Sequence, residues 1–140
     1  MATKTFTTMV QIEGFIESAC AKAVEITCNR LLGTLQELIM SEYYDLFDPE
    51  KYRRTMQFYD SATTRILNKL TGEIFMDADS MNYGAYWDGE TQLYMADAGF
   101  HGSVYDYEDG HFWKEFIAYC EKNAKKILKE ELVKQGLKLV

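Results

Sequence analysis

Apolar positions along the chain fall into two long helical stripes, with a stretch between them that keeps neither helical nor strict strand periodicity. In the first stripe Ile12, Phe15, Ile16, Ala19, Ala23, Ile26, Leu31, Leu35, Leu38 and Ile39 recur at three- and four-residue steps. That spacing predicts an amphipathic helix over residues 11–43. Gly14 and Gly33 weaken it by about 1 kcal/mol each relative to Ala, and Gly33 is expected to mark a bend or a close backbone approach. In the second stripe Phe112, Trp113, Phe116, Ile117, Cys120, Ala124, Ile127, Leu128 and Val133 share a face, and Lys114, Glu121, Lys122, Lys125, Lys129 and Glu130 mostly take the other. Asp109 and Gly110 stand where this helix would be capped. Gly136 is a natural stop, because it adopts the left-handed conformation without a Cβ penalty. Trp113 and Phe116 are expected to be buried against a sheet.

The segment between the stripes reads differently. Pro49 forbids a helix through residues 45–51. TMQFYDS (residues 55–61) and TTRILNKLTGEIFMDA (residues 63–78) are β-branched and aromatic, with Leu70-Thr71-Gly72 as a turn between strands. Residues 81–110 form a long loop dense in Gly, Tyr and acid, with Asp88-Gly89 as a turn and residues 92–96 as a strand. The expected fold is α+β: one antiparallel sheet packed by a long N-terminal helix and a long C-terminal helix. Residues 1–140 make a single domain with a polar N-terminal arm, residues 1–10, either disordered or able to add a strand.

Charge narrows the picture. A net charge of −7 argues against a free-standing binder of duplex nucleic acid, which needs a basic patch to neutralise phosphates. Fifteen Lys and Arg remain to be placed, and Lys122, Lys125, Lys126, Lys129, Lys134 and Lys138 give the last helix a basic side, either solvated or against an acidic partner. Cys20, Cys28 and Cys120 read as reduced, mostly buried thiols; Cys20 and Cys28 stand about 12 Å apart by helical rise, too far for a disulfide. Residues 1–10 lack a secretory pattern and no apolar run approaches ~20 residues, so neither export by the usual route nor a membrane span is expected.

Candidate chemistry is thin. Asp77, Asp79, Asp88, Glu90 and Asp97 cluster in sequence, but Met81 and Asn82 stand where a calcium loop needs an oxygen ligand and a glycine. A solvated acidic loop is the expectation. His101 and His111 are ten residues apart with no Cys beside them, which suits neither zinc nor a catalytic triad. His101 reads as a turn or packing residue and His111 as a neutral hydrogen-bonding group. No catalytic residue, metal or cofactor is expected. Tyr83, Tyr86, Trp87, Tyr94, Tyr105 and Tyr107 could stack on bases, but their neighbours are acidic. They suit a protein–protein interface, or packing over the sheet.

The order PEKYRRTMQFYDS, GEIFMDADSMNYG, AGFHG and then FWKEFIAYCEKNAKKILKEELVKQGLKL resembles the tail-completion, or neck, proteins of long-tailed phages and prophages of Gram-positive hosts. Tyr52-Arg53-Arg54-Thr55, with one additional Arg, stands at that family's turn into the sheet, and Gly99-Phe100-His101-Gly102 at its glycine–histidine loop. The acidic run over residues 106–109 is a departure. The resemblance covers most of residues 10–139. It implies a non-enzymatic structural protein of the head–tail junction or a minor capsid component, assembled as a ring of sixfold or twelvefold symmetry. Implied partners are copies of itself, the head-side connector or adaptor, and the tail tube or terminator, with DNA only as passing cargo and no membrane. Location is then the virion, and the host cytoplasm during assembly. Tyr52, Arg53, Arg54 and the tyrosines of the long loop are the expected interface. The alternative is a small acidic regulatory or accessory protein-binding module carried by a mobile element.

Overall fold

A computed structural model of the chain describes residues 3–45, 56–81, 88–98, 100–101, 104–105 and 111–138, with the short pairs 100–101 and 104–105 described as backbone. Two helices dominate: α1, Met9–Ile39, and, after several short elements, α4, Phe112–Lys134, packed against it. The start of α1 is fixed locally. Thr8 Oγ1 accepts from the Gln11 backbone N–H, and Gln11 Oε1 accepts in return from the Thr7 N–H, a reciprocal arrangement that satisfies two donors near the helix start. Residues 3–7 fold back, with the Phe6 ring 5.2 Å from Phe15 and the Lys4 ammonium 4.7 Å above Phe15. The N-terminal arm therefore ends where Thr8 caps the helix, and its aromatic residue packs at home.

No other backbone comes close at Gly33: a Cβ there would find nothing within 4 Å. The irregularity comes later, at a π turn over Met40–Tyr44, where Asp45 N–H donates to Met40 O at 2.8 Å. The wider turn lets consecutive residues both serve the core. Tyr44 is buried, and the Tyr43 ring lies 5.1 Å from Tyr44 and 4.8 Å from Phe58 in edge contacts.

Phe58 is carried by α2, Gln57–Asp60, a single helical turn where sequence suggested a strand. β-branched and aromatic content is a weak signal in four residues, and here it yields to the burial of Phe58, which is 1% exposed. Met56 enters the turn in the left-handed region, φ 61°. Tyr44 Oη accepts from the Tyr59 N–H, and the buried Ser61 hydroxyl donates to Phe58 O.

The predicted hairpin forms as β1, Ala62–Asn68, and β2, Thr71–Met76, paired antiparallel from Ala62↔Met76 to Asn68↔Thr71. Its turn is Lys69-Leu70, earlier than the sequence suggested. Two local features shift it: Leu67 is an extra residue bulged out of the ladder, and Asn68 Oδ1 accepts from the Leu70 N–H. The hairpin lies on α1. A Cβ on Gly72 would stand 2.5 Å from Cys28 Sγ and 3.6 Å from Val24, so β2 approaches the helix as closely as it does because residue 72 has no side chain.

The long loop expected over residues 81–110 contains a helix. Residues 92–96, read as a strand, belong to α3, Gly89–Asp97, capped by Asp88 Oδ1 accepting from the Thr91 N–H. Before it comes a 3-10 turn, Ala78–Ser80, so close that a Cβ on Gly89 would lie 1.8 Å from Ala78 O. After it, β3, Phe100–His101, and β4, Val104–Tyr105, make a second antiparallel ladder. The expected cap of α4 at Asp109-Gly110 lies outside the described residues. His111, φ 64°, leads into α4, and Asp97 serves both sides of the junction: its carbonyl accepts from the His111 N–H and its Oδ1 from the Trp113 N–H.

Along α4 it is Phe112 and Phe116, at 2% and 3% exposure, that enter the core. Trp113 is half-buried beside Phe116, a correction to its expected burial against the sheet, and Ile117 is exposed. Phe112 instead meets Phe58 edge-on at 5.3 Å. Leu31, Leu35, Ile39, Tyr44, Phe58, Ala62, Phe112, Phe116 and Ile127 belong to one contiguous core. At its far end α4 stops as predicted: Gly136 has φ 93°, and the Leu137 N–H returns to Leu132 O.

Candidate interaction surfaces

The sequence pointed to nine interface residues, and the structure places few of their side chains. Tyr52, Arg53, Arg54, Tyr83, Tyr86, Trp87 and Tyr107 lie outside the described residues, and Tyr105 contributes backbone to β4, opposite Phe100. Tyr94 is placed, on α3 and not on a strand or loop, with 73% of its surface exposed. Its helical neighbours explain that exposure: Leu93 packs on the core and Ala96 is buried, so Tyr94 falls on the outer side.

The acidic cluster resolves into caps and into carboxylates that have no cation beside them among the described residues. Asp77 Oδ1 accepts from the Asp79 N–H, Asp88 caps α3, and Asp97 caps α4. Hydrogen bonds from Thr91, hydroxyl first and then backbone, hold the Asp88 carboxyl below its ordinary value. Short acidic side chains just ahead of helical turns carry a cap signature that sequence reasoning weighed as metal ligation and loop solvation. Among the described residues no group of three or more His, Cys, Asp or Glu is placed to hold a metal ion. Cys20, Cys28 and Cys120 are free thiols, and burial pushes the Cys120 thiol up.

A surface the sequence did not single out is the free end of the hairpin. Ile66, Leu67 and Leu70 are 47%, 53% and 60% exposed, side by side around the bulge and the turn. Lys69 anchors this end to α1 through Glu17 at 2.9 Å. An open cleft of about 520 Å³ runs alongside, lined by Ser18, Ala21 and Glu25 of α1 and by Ile66 and Lys69 of the hairpin. On α1 the helical face under the hairpin continues past Glu17 to Gly14 and Val10, the latter 77% exposed. Apolar residues at a two-residue hairpin turn are unusual, since turns favour Gly, Asn, Asp and Pro. That was the signal available in the sequence, in Ile66-Leu67-Asn68-Lys69-Leu70.

The family model for YomN matches residues 8–138, which is nearly the whole chain and every element described above. The chain belongs to the YomN family. No curated protein and no solved structure matches it. Both long helices, the hairpin and α3 of this YomN-family chain fall inside the matched region, and so does each candidate interface residue. No helix among the described residues is long and apolar enough to cross a membrane.

Proposed function

We propose that the chain is a structural subunit of the head–tail junction of a long-tailed phage or prophage, acting by ring assembly and not by catalysis. The observation that carries this reading is the exposed apolar end of the hairpin, Ile66, Leu67 and Leu70, beside the open continuation of α1. A lone domain gains nothing by holding three large aliphatic side chains in water, each worth roughly 1.5–3 kcal/mol on full burial. A subunit enclosed between neighbours recovers that energy on assembly. The ordered resemblance of residues 49–61, 72–84, 98–102 and 112–139 to neck proteins supports the same reading.

Under this proposal the partners are copies of the chain, the head-side connector and the tail tube or its terminator, with DNA passing through. Mass spectrometry of purified particles tests it. The chain should be present in stoichiometric amount, and a strain lacking it should accumulate tail-less heads beside free tails. Particles that lack the chain and remain infectious would sink the assignment in favour of an accessory protein-binding module.

A further inference from the structure

Charge is divided unevenly along the chain. Residues 112–140 carry seven Lys against four Glu, whereas residues 1–111 carry eight basic against eighteen acidic side chains. On α4 the excess gathers on one side. At the 100° per residue of an α-helix, Lys114, Lys122, Lys125, Lys126 and Lys129 fall within an arc of about 120°, with Glu115 the one acid of α4 inside it. All five are exposed, and among the described residues none has a carboxylate within 4.0 Å. The other cations placed on the helices and the hairpin, Lys22, Arg30, Arg65, Lys69 and Lys134, each have one. Within this face sits Ala118, one helical turn from Lys114 and from Lys122, which leaves a shallow floor between their stems.

A surface of opposite character stands on α3. Glu90 and Tyr94, four residues apart, share one exposed stripe of that helix. Asp79 lies in the neighbouring 3-10 turn, and the contact of Gly89 with Ala78 brings the two elements together. Asp79 and Glu90 are both exposed, and neither carboxylate has a cation within 4.0 Å among the described residues. Tyr94 supplies an aromatic anchor of the kind that dominates interfaces.

We infer that these two surfaces recognise each other between copies of the chain: the lysine face of α4 on one subunit receives the Asp79–Glu90–Tyr94 corner of the next. Tyr94 lies on the Ala118 floor with lysine stems around its ring, and the carboxylates face the ammonium groups. The surfaces are different and occupy different elements, so the contact is head-to-tail, and repeated around an axis it closes into a ring. The inference rests on the ring-subunit reading and names the contact that would build the ring. A phosphate backbone is the competing occupant of a lysine face; the acidic balance of the rest of the chain favours a second copy.

Analytical ultracentrifugation of the full chain, at several salt concentrations, tests this with two charge-reversed proteins. One carries Lys122→Glu, Lys125→Glu and Lys129→Glu; the other carries Asp79→Lys and Glu90→Lys. Asp88 and Asp97 are left intact because they cap helices, and circular dichroism melts check that each variant folds. The parent should self-associate at low salt and dissociate as salt is raised. Each variant alone should be monomeric, its dissociation constant raised ~100-fold or more. Mixed in equal amounts the two should reassemble, since parental and swapped contacts then alternate. A monomeric parent, variants that assemble like the parent, or a mixture that stays monomeric would overturn the inference. So would a parent that binds a duplex DNA oligonucleotide through this face without self-associating. The particle experiment fails independently: a chain present in virions but monomeric when purified loses this contact and keeps its place in the neck.

Discussion

The two ends of the α1–α4 pair are built on different principles. Where α1 finishes and α4 begins, Leu35, Ile39, Tyr44, Phe58, Phe112 and Phe116 are each at most 5% exposed, and the rings of Tyr43, Tyr44, Phe58 and Phe112 meet largely edge-on. Edge contacts of this kind add roughly 0.5–1.5 kcal/mol apiece beyond the area they bury. At the other end the helices are held by a folded-back arm, by Phe15, and by charge: Arg30 bridges Glu130 and the buried Glu131, which Lys134 also meets at 2.9 Å. Met9, Val10, Ile16 and Val133 remain exposed there, and so does the hairpin end. One end is finished within the subunit. The other leaves apolar surface in water, and that surface is where the proposed neighbours would contribute.

Substitutions can break this contrast. The largest effect is expected at the closed end, where Phe58→Ala should cost about 3–5 kcal/mol in chemical denaturation. A loss comparable to that of an exposed residue would mean the aromatic cluster is not the keystone described above. Next comes the hairpin seat, midway between the ends. Gly72→Ala forces a Cβ against Cys28 Sγ and should cost about 1–3 kcal/mol. Made in a Cys28→Ala background, the same substitution should cost less, and the coupling in a double-mutant cycle measures how tightly β2 sits on α1.

The charged clamp at the open end makes a prediction about pH. Hydrogen bonds from Lys134 and then Arg30 lower the Glu131 pKa from its ordinary 4.5. A folded-state pKa below the unfolded one stabilises the protein above pH 4.5, and the contribution is lost as pH falls through the lowered folded value. Glu131→Gln should therefore flatten the dependence of melting temperature on pH below 4.5, and an unchanged slope would show that the clamp does not couple to folding. Gly33→Ala, in open space in mid-helix, should stabilise by about 0.4–1 kcal/mol. Smallest of all, Leu67→Ser and Leu70→Ser should change the stability of the isolated chain by less than about 0.5 kcal/mol. If either behaves like Phe58→Ala, the hairpin end is buried in the free protein and the two ends are not different.

The elements readable in the sequence are those with length or a strong local device. Both long helices carry their stripes over many turns, and Gly136 stops α4 where its backbone freedom allows. The hairpin shows in β-branched runs, although Asn68 and the Leu67 bulge move its turn. Short elements were misread because four or five residues carry too little periodicity. Residues 92–96 alternate enough to suggest a strand, while the deciding information was Asp88, whose side chain caps α3. Trp113 and Phe112 adjoin in the stripe, and only the position of Phe58 settles which of them the core takes. For the candidate interface, Tyr94 was legible as exposed chemistry but not as a helical residue. The hairpin end escaped notice because its leucines look like strand core until the bulge turns them outward.

The packing of α1 on α4 has a consequence for how the chain is made. During synthesis α1 leaves the ribosome ahead of the other described elements, with Leu31, Leu35 and Ile39 aligned on one face. The helix that covers them follows all of those elements. Until it emerges, this oily stripe has only the hairpin and the aromatic turn to lean on, and contacts between segments so distant in sequence form late and slowly. A stalled or truncated chain would thus expose most of the α1 core face, and a chaperone that recognises extended apolar helices would meet this protein before its fold is complete.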